Sequence, residues 1–270
     1  MEHDFLHTTL GKTGVEVFRL GLSGTYRPGK RAVYTALGQG VNYFFCFGID
    51  SQMMGALRDI GGRERQNIVI ASGAGSWLFG YQNLRRALER RLRQLRTDYI
   101  DIFLFLGAAR ERHFPEKARE ELHALKEEGK VRWVGMSTHD RKFAGRLAAE
   151  GALDVIMMRY NAAHRGAEVD IFPYLGEHNP GIVSFTATRW SYLMRRPKDW
   201  PRDAIVPDAG QAYRFVLSNP NVHVCMTAPS NQEQLEHNLA AVRKGPLKED
   251  EMEFIKKFGD AVHHTKKWFM

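Results

Sequence analysis

The stretch NLRRALERRLRQLRTDYIDIFLFL, residues 83–106, decides the fold. In its first half, four leucines (Leu84, Leu88, Leu92 and Leu95) recur at helical spacing, which predicts an amphipathic helix whose arginines form a solvated basic face. Its second half, residues 99–106, is a nearly continuous apolar run, typical of a strand buried on both faces of a parallel sheet. A helix followed at once by such a strand indicates an α/β fold.

The same alternation of strand and helix patterns occurs eight times along the chain. The strand patterns are at 17–22, 42–47, 67–72, 99–106, 131–137, 154–160, 181–186 and 222–227. The helical patterns are at 30–38, 52–60, 81–95, 116–128, 141–149, 167–177, 208–218 and 232–242. Eight such units in 270 residues predict one (β/α)8 TIM barrel that occupies residues 1–270 as a single domain.

Three segments lie outside this repeat. The turn LGKTG, residues 10–14, predicts an N-terminal β-hairpin. Acidic residues in PLKEDE, 246–251, predict the first turn of an extra C-terminal helix. The region 187–207 is too long for an ordinary connection, so we interpret it as a functional loop that selects the substrate, with Trp190 and Trp200.

Composition limits the classes of function. The net charge of +8 favours an anionic small-molecule substrate, but the largest basic cluster is the helix at 83–96 and carries no interleaved aromatics, so nucleic-acid binding is not predicted. The two cysteines, Cys46 and Cys225, lie in apolar runs, as expected of buried thiols in the reducing cytoplasm. The chain shows no signal-peptide pattern and no apolar run of about 20 residues, so no membrane contact is predicted. His263 and His264 are adjacent on a helix and do not face each other, so no metal site is predicted, and the sequence does not determine the oligomeric state.

In a barrel of this kind, the chemistry takes place at the carboxyl ends of the strands. The segments that follow the predicted strands are 24–26, 45–50, 72–75, 106–113, 137–140, 159–164, 185–190 and 227–231. These segments are therefore the expected places of catalytic and binding residues.

Four long segments resemble the aldo-keto reductase superfamily in its own order. They are LGKTGVEVFRLGLSGTY (10–26), LRRALERRLRQLRTDYIDIFLF (84–105), LHALKEEGKVRWVGMST (122–138) and FVLSNPNVHVCMTAPSNQEQLEHNLAAV (215–242). The resemblance covers nearly the whole chain. It implies a barrel that binds NADP(H) and reduces carbonyl groups with an Asp, a Tyr, a Lys and a His at strand ends.

The four catalytic positions implied by the resemblance carry other residues here. The aspartate position is Phe45, the tyrosine position falls near Asp50, the lysine position is Gly73 and the histidine position is Leu106. Furthermore, the chain has no lysine between Lys30 and Lys117, no tyrosine between Tyr43 and Tyr81, and no histidine between His7 and His113. We therefore predict a divergent site without the usual tetrad.

The positions that hold the cofactor in the family are better matched. The resemblance implies a cofactor contact from Thr25, nicotinamide contacts from Ser137, Thr138 and Phe185, a pyrophosphate contact from Thr186, and adenine-side contacts from Ser230, Glu233, Gln234 and Asn238. Met157 replaces a glutamine, and Asn231 is matched to the basic residue for the 2′-phosphate. As an alternative, Ser230 caps the last barrel helix, with Glu233 as its capping-box partner.

New polar groups at the strand ends provide other catalytic candidates. Asp50, His139 and Arg159 are the candidates for proton transfer and for holding an anion; as an alternative, Arg159 forms a structural ion pair with Glu168 or Asp170. Three functions stay open: an NADP(H)-binding oxidoreductase with non-standard proton transfer, a cofactor-independent lyase or isomerase acting on an anion, and a non-catalytic sensor or scaffold.

Overall fold

The protein is described by a computed structural model covering residues 4–47, 50–75 and 83–265. Eight strands of these residues form a closed parallel barrel, in which each strand pairs with the next along the chain and the last pairs with the first; this confirms the predicted (β/α)8 architecture. The barrel strands are β3 (Leu20–Ser23), β4 (Tyr43–Phe45), β5 (Val69–Ala74), β6 (Ile100–Ala108), β7 (Val131–Thr138), β8 (Val155–Arg159), β9 (Gly181–Phe185) and β10 (Val224–Thr227). Their side chains are mostly apolar because each strand faces the barrel interior on one side and the surrounding helices on the other.

The predicted N-terminal hairpin is present. Strands β1 (His7–Thr9) and β2 (Glu16–Phe18) pair antiparallel, with His7 opposite Phe18. Leu10 and Val17 pack into the barrel-interior cluster, so the hairpin closes the barrel at the end opposite the strands' carboxyl termini. The predicted strand at 17–22 is divided between β2 and β3 at Arg19, which is buried and donates hydrogen bonds to the carbonyls of Leu217 and Val222.

Helices surround the barrel. They are α1 (Lys30–Gly38), α2 (Ser51–Glu64), α3 (Leu84–Leu95), α4 (Glu116–Glu127), α5 (Arg141–Ala149), α6 (Ala167–Asp170), α7 (Ala209–Leu217), α8 (Gln232–Val242) and the extra C-terminal α9 (Glu249–Thr265). Of the pattern at 81–95, residues 81–82 lie outside the described ranges. The helix predicted at 167–177 was wrong beyond Asp170, because Pro173 disfavours helical geometry at Phe172 and the chain continues as a 3-10 turn.

One arginine of α3 contradicts the predicted solvent face. Arg91 is buried, and its Nε donates to Ser72 Oγ at 2.9 Å while Nη2 donates to the carbonyl oxygen of Phe47 at 2.5 Å. Ser72 Oγ in turn donates to the carbonyl oxygen of Cys46 at 2.6 Å. This side chain therefore fixes the backbone just past β4, at the mouth of the barrel.

No helix of the described residues is long and apolar enough to cross a membrane.

Candidate active site

A cavity of about 1050 Å³ opens at the carboxyl ends of the barrel strands. Its walls come from the ends of seven strands, from the segment after β9 and from the first turns of α7 and α8. Ligand pockets in proteins span about 300–1,000 Å³, so this cavity is large enough for an extended ligand.

Besides Glu233, which lines the cavity, seven of the other eight predicted cofactor-binding residues line it as well: Thr25, Ser137, Phe185, Thr186, Ser230, Gln234 and Asn238. They come from four separate parts of the chain, and the closed barrel brings them together. The eighth, Thr138, is buried beside the cavity, where its hydroxyl donates to the carbonyl oxygen of Ala108 at 2.6 Å and accepts from the Asp140 amide at 2.9 Å. The hydroxyl of Thr138 thus holds the end of β7.

The polar groups at the α8 end of the cavity are ordered by hydrogen bonds. Asn231 caps α8 by accepting from the Gln234 amide at 2.9 Å, while the Gln234 side chain accepts from the Ser230 amide at 2.9 Å. The alternative in which Ser230 is the cap, with Glu233 as its partner, was therefore wrong. Asn238 Nδ2 donates to Thr227 Oγ1 at 3.0 Å.

The other end of the cavity has an apolar floor. Phe45, Phe47, Leu106 and Met157 line it, and the rings of Phe45 and Phe47 meet edge to face with centroids 4.7 Å apart. Gly73 lies beneath, and a β-carbon at that position would lie 2.7 Å from Leu106 Cγ and in contact with the Leu104 carbonyl oxygen. The floor therefore has no room for a side chain at position 73.

Asp50 is placed as a helix cap. Its Oδ1 accepts hydrogen bonds from the backbone amides of Gln52 and Met53, at 3.0 and 3.2 Å, and so begins α2. The residue is only 3% exposed, and Oδ2 has no hydrogen-bond partner among the described residues. Asp50 does not belong to the cavity lining.

His139 and Arg159 both neighbour Phe185, and neither is among the described residues that line the cavity. The Phe185 ring lines the cavity and meets the His139 ring edge to face at 5.3 Å, and Arg159 is the register partner of Phe185 on the adjacent strand. Burial, followed by the charge of Arg159, lowers the pKa of His139 to about 4. Burial and the charges of Arg141 and Arg189 lower the pKa of Arg159 to about 10. His139 is therefore neutral at neutral pH and part of a basic cluster.

The carboxylates proposed as partners of Arg159 have other contacts. Asp170 accepts from Arg141 Nε at 2.8 Å, and Glu168 accepts from the Tyr160 hydroxyl at 2.6 Å. Near them, His164 adds a second imidazole, whose pKa burial and the charge of Arg159 lower to about 3.

The segment after β9 forms one wall of the cavity in an unusual backbone conformation. Thr186, Arg189, Trp190 and Ser191 all have positive φ, between 49° and 68°. Non-glycine residues rarely adopt this region, and such strain is concentrated at functional sites. Of the two tryptophans predicted to select the substrate, Trp190 lines the cavity, whereas Trp200 packs against Phe258 of α9.

Several lining residues lie on helices, so the rule that places functional residues at strand ends did not predict them. Tyr213 on α7 is buried, and its hydroxyl accepts from Thr227 Oγ1 at 2.9 Å. Burial raises the pKa of Tyr213. His237 on α8 also lines the cavity, one turn after Glu233. Within the described ranges, no three His, Cys, Asp or Glu side chains come together as a metal-binding group.

A parallel (β/α)8 barrel with a hairpin at its base and a cavity at its mouth is the architecture of a class of proteins that includes many oxidoreductases. The family model described as the aldo/keto reductase family matches residues 51–203, and the chain belongs to this family.

Curated relatives agree with this membership. "Uncharacterized oxidoreductase YqkF" of Bacillus subtilis is 24% identical over 71% of this chain and 74% of its own length. "Aldo-keto reductase YhdN" of the same organism is 29% identical over 62% of this chain, and the match spans 57% of that relative.

Solved structures share the fold. An aldo-keto reductase from Bacillus halodurans in its holo form superposes with a TM-score of 0.76 at 22% identity, over 94% of this chain and 96% of that one. An aldo/keto reductase from Klebsiella pneumoniae, in complex with NADP and acetate, gives 0.72 at 20% identity, over 94% and 95%. At these identities the likeness concerns the fold alone.

Proposed function

We propose that the protein is an oxidoreductase that binds a nicotinamide dinucleotide, NADP(H) or NAD(H), in this cavity and transfers protons without the family's usual tetrad. The observation that carries the proposal is the meeting of seven predicted cofactor residues in one cavity. The family resemblance in the sequence predicted these residues, and the fold brings them to one surface.

The cavity has features that suit each part of a dinucleotide. Phe185 offers a ring for stacking at the β9 end, beside the hydroxyl of Ser137. Thr186 and Ser230 offer hydroxyls between the two ends, and Asn238 is held in place by Thr227 at the α8 end. When bound there, a reduced nicotinamide would supply a hydride, and the apolar floor beside Phe185 would exclude water from it.

The proton must then come from a group other than the usual tyrosine. Of the four positions that the resemblance assigns to catalysis, Phe45 and Leu106 are floor residues, Gly73 has no room for a side chain, and Asp50 caps a helix. Tyr26 lies three residues after the end of β3, lines the cavity and is 49% exposed. We infer that Tyr26 is the best-placed donor, while proton transfer by Asp50 or His139 and anion binding by Arg159 stay predictions.

The apolar floor also supports a second candidate, a dinucleotide-binding protein without turnover. A positioned general acid contributes about 10²- to 10⁴-fold to a reaction rate, so its loss reduces turnover strongly while binding persists. The cofactor-independent alternative is less well supported, because no arginine among the described residues lines the cavity.

Binding is tested by titrating the purified protein with NADH and NADPH while following the fluorescence of its tryptophans, one of which, Trp190, lines the cavity. We expect saturable micromolar binding that Phe185→Ala weakens, since stacking on an aromatic ring contributes about 1–3 kcal/mol per base. Tyr174→Ala, at a residue 51% exposed and outside the lining, is the control. Absence of binding by both dinucleotides at millimolar concentration would overturn the proposal.

Turnover separates the two candidates. Single-turnover mixing of the NADH or NADPH complex with a panel of aldehydes and ketones should consume the reduced cofactor slowly. Binding without any consumption would favour the non-catalytic candidate.

A further inference from the structure

The charge of the cavity bears on which dinucleotide it accepts. Among the described residues that line it, there is neither a lysine nor an arginine. The titratable side chains of the described lining are Tyr26, Tyr213, Glu233 and His237, so its one carboxylate is that of Glu233.

Glu233 lies at the end assigned to adenosine. It occupies the first turn of α8, beside Gln234 and one turn before His237, and it is exposed to the cavity and solvent. A carboxylate is favourable at a helix N-terminus, so Glu233 is stable there without a cation. Asn231, the neighbouring cap, uses its side-chain oxygen to accept from the Gln234 amide and presents no positive charge.

A 2′-phosphate and a 2′-hydroxyl require side chains of opposite charge at the α8 end of the cavity. A phosphate monoester carries about −1.5 to −2 charges at pH 7 and needs Arg or Lys as partners. A ribose 2′-hydroxyl is a donor, and dinucleotide sites for NAD commonly meet it with an Asp or Glu. The α8 end offers the carboxylate and, among described residues, no arginine or lysine in the lining.

We infer that the cavity selects the dinucleotide without the 2′-phosphate, NAD(H) rather than NADP(H), and that Glu233 is the selecting residue. This inference rests on the proposed function and narrows it. The carboxylate accepts a hydrogen bond from the adenosine ribose and repels a phosphate at the same position. Because both charges are near the surface, the discrimination decreases as salt increases.

The test compares the dissociation constants of NADH and NADPH by fluorescence titration at low and high salt. Wild-type protein should bind NADH about tenfold or more tightly than NADPH at low salt. The reason is that repulsion between two like charges near a protein surface is large enough to produce such a ratio of dissociation constants. Glu233→Lys should reverse the preference, mainly by tightening NADPH binding, and Glu233→Gln should reduce it. Glu236→Lys makes the same charge change at an exposed position of α8 outside the lining and should leave the ratio unchanged.

The outcomes separate this inference from the proposed function. Tighter binding of NADPH than of NADH by wild-type protein would overturn the inference and leave the proposed function intact. An unchanged ratio in Glu233→Lys would overturn the role of Glu233. If neither dinucleotide binds, the proposed function fails, and the inference fails with it. The titration of 5′-AMP against adenosine 2′,5′-bisphosphate, which differ only in the 2′-phosphate, repeats the comparison on the adenosine end alone, and preference for the bisphosphate would also overturn the inference.

Discussion

Leu106 on β6 occupies the space beside the α-carbon of Gly73 on β5: a β-carbon at position 73 would lie 2.7 Å from Leu106 Cγ. Two positions that the family resemblance assigns to a lysine and a histidine are therefore coupled by packing. The leucine fits because the glycine has no side chain.

Gly73→Lys should destabilise the protein and should not create a working lysine. Overpacking of a buried position costs about 1–3 kcal/mol, and here the Leu104 carbonyl also blocks the new β-carbon. Urea unfolding measures the loss. Gly38→Lys is the control, because nothing lies within 4 Å of a β-carbon at Gly38. Equal stabilities of the two variants would contradict the packing argument.

Substitutions of Asp50 separate a capping role from a catalytic one. Asp50→Ala should lower the free energy of unfolding by about 0.5–2 kcal/mol, because the amides of Gln52 and Met53 lose their acceptor. Asp50→Asn keeps an acceptor oxygen and should retain most of the stability. The same pair of substitutions at Asp140, which caps α5, is the control. A large loss of turnover in a fully stable Asp50→Asn would instead indicate a catalytic carboxylate.

Tyr26→Phe tests the proposed proton donor. Removal of the hydroxyl should lower kcat about 10²-fold or more while the dissociation constant for NADH is unchanged, because the ring is retained. Tyr34→Phe, on α1 and outside the cavity lining, should alter neither quantity. If Tyr26→Phe retains the wild-type kcat, the donor lies elsewhere, and His139→Gln is the next variant to measure.

Acid should destabilise the fold through its buried histidines. The pKa of His139 falls from the ordinary 6.5 to about 4 on folding, and that of His164 to about 3. Above pH 6.5 both are neutral in both states and have no effect. As the pH falls below 6.5, the unfolded chain binds protons that the folded protein does not, so the free energy of unfolding decreases.

For His139 alone, this decrease should reach about 1–2 kcal/mol at pH 5. Comparison of urea unfolding at pH 7.5 and pH 5 should show a smaller difference for His139→Leu than for wild type. His264→Leu, at an exposed position, should keep the wild-type difference. A pH dependence that His139→Leu leaves unaltered would show that His139 is readily protonated in the fold.

The fold was predictable because each barrel strand and helix has its own local pattern. Helices α1, α5 and α8 begin and end as predicted. The errors occur where a single residue overrides the pattern: Pro173 ends the helix predicted at 167–177, and Arg19 divides a predicted strand. Arg91 lies three residues after Leu88 and four before Leu95, on the buried face of α3, so its helical spacing indicated burial where its charge indicated exposure.

The candidate site was predictable on its strand side and not on its helix side. Residues such as Thr25, Ser137 and Phe185 follow directly from the rule that strand ends meet at the barrel mouth. Tyr213 and His237 reach the cavity from helices, and no spacing in the sequence indicates which helical side chains point there. His139 follows β7 but is not part of the described lining, and this depends on its side-chain direction, which sequence position does not determine.

The edge-to-face pair of Phe45 and Phe47 has a consequence for the evolution of this barrel. Catalytic centres usually sacrifice stability, because they hold polar groups in partly desolvated and strained positions. Phe45, at the position that the family resemblance assigns to a catalytic aspartate, packs against Phe47 instead, and a more stable scaffold tolerates more destabilising substitutions before it unfolds. The mouth of this protein is therefore a favourable starting point for acquiring new specificities by mutation.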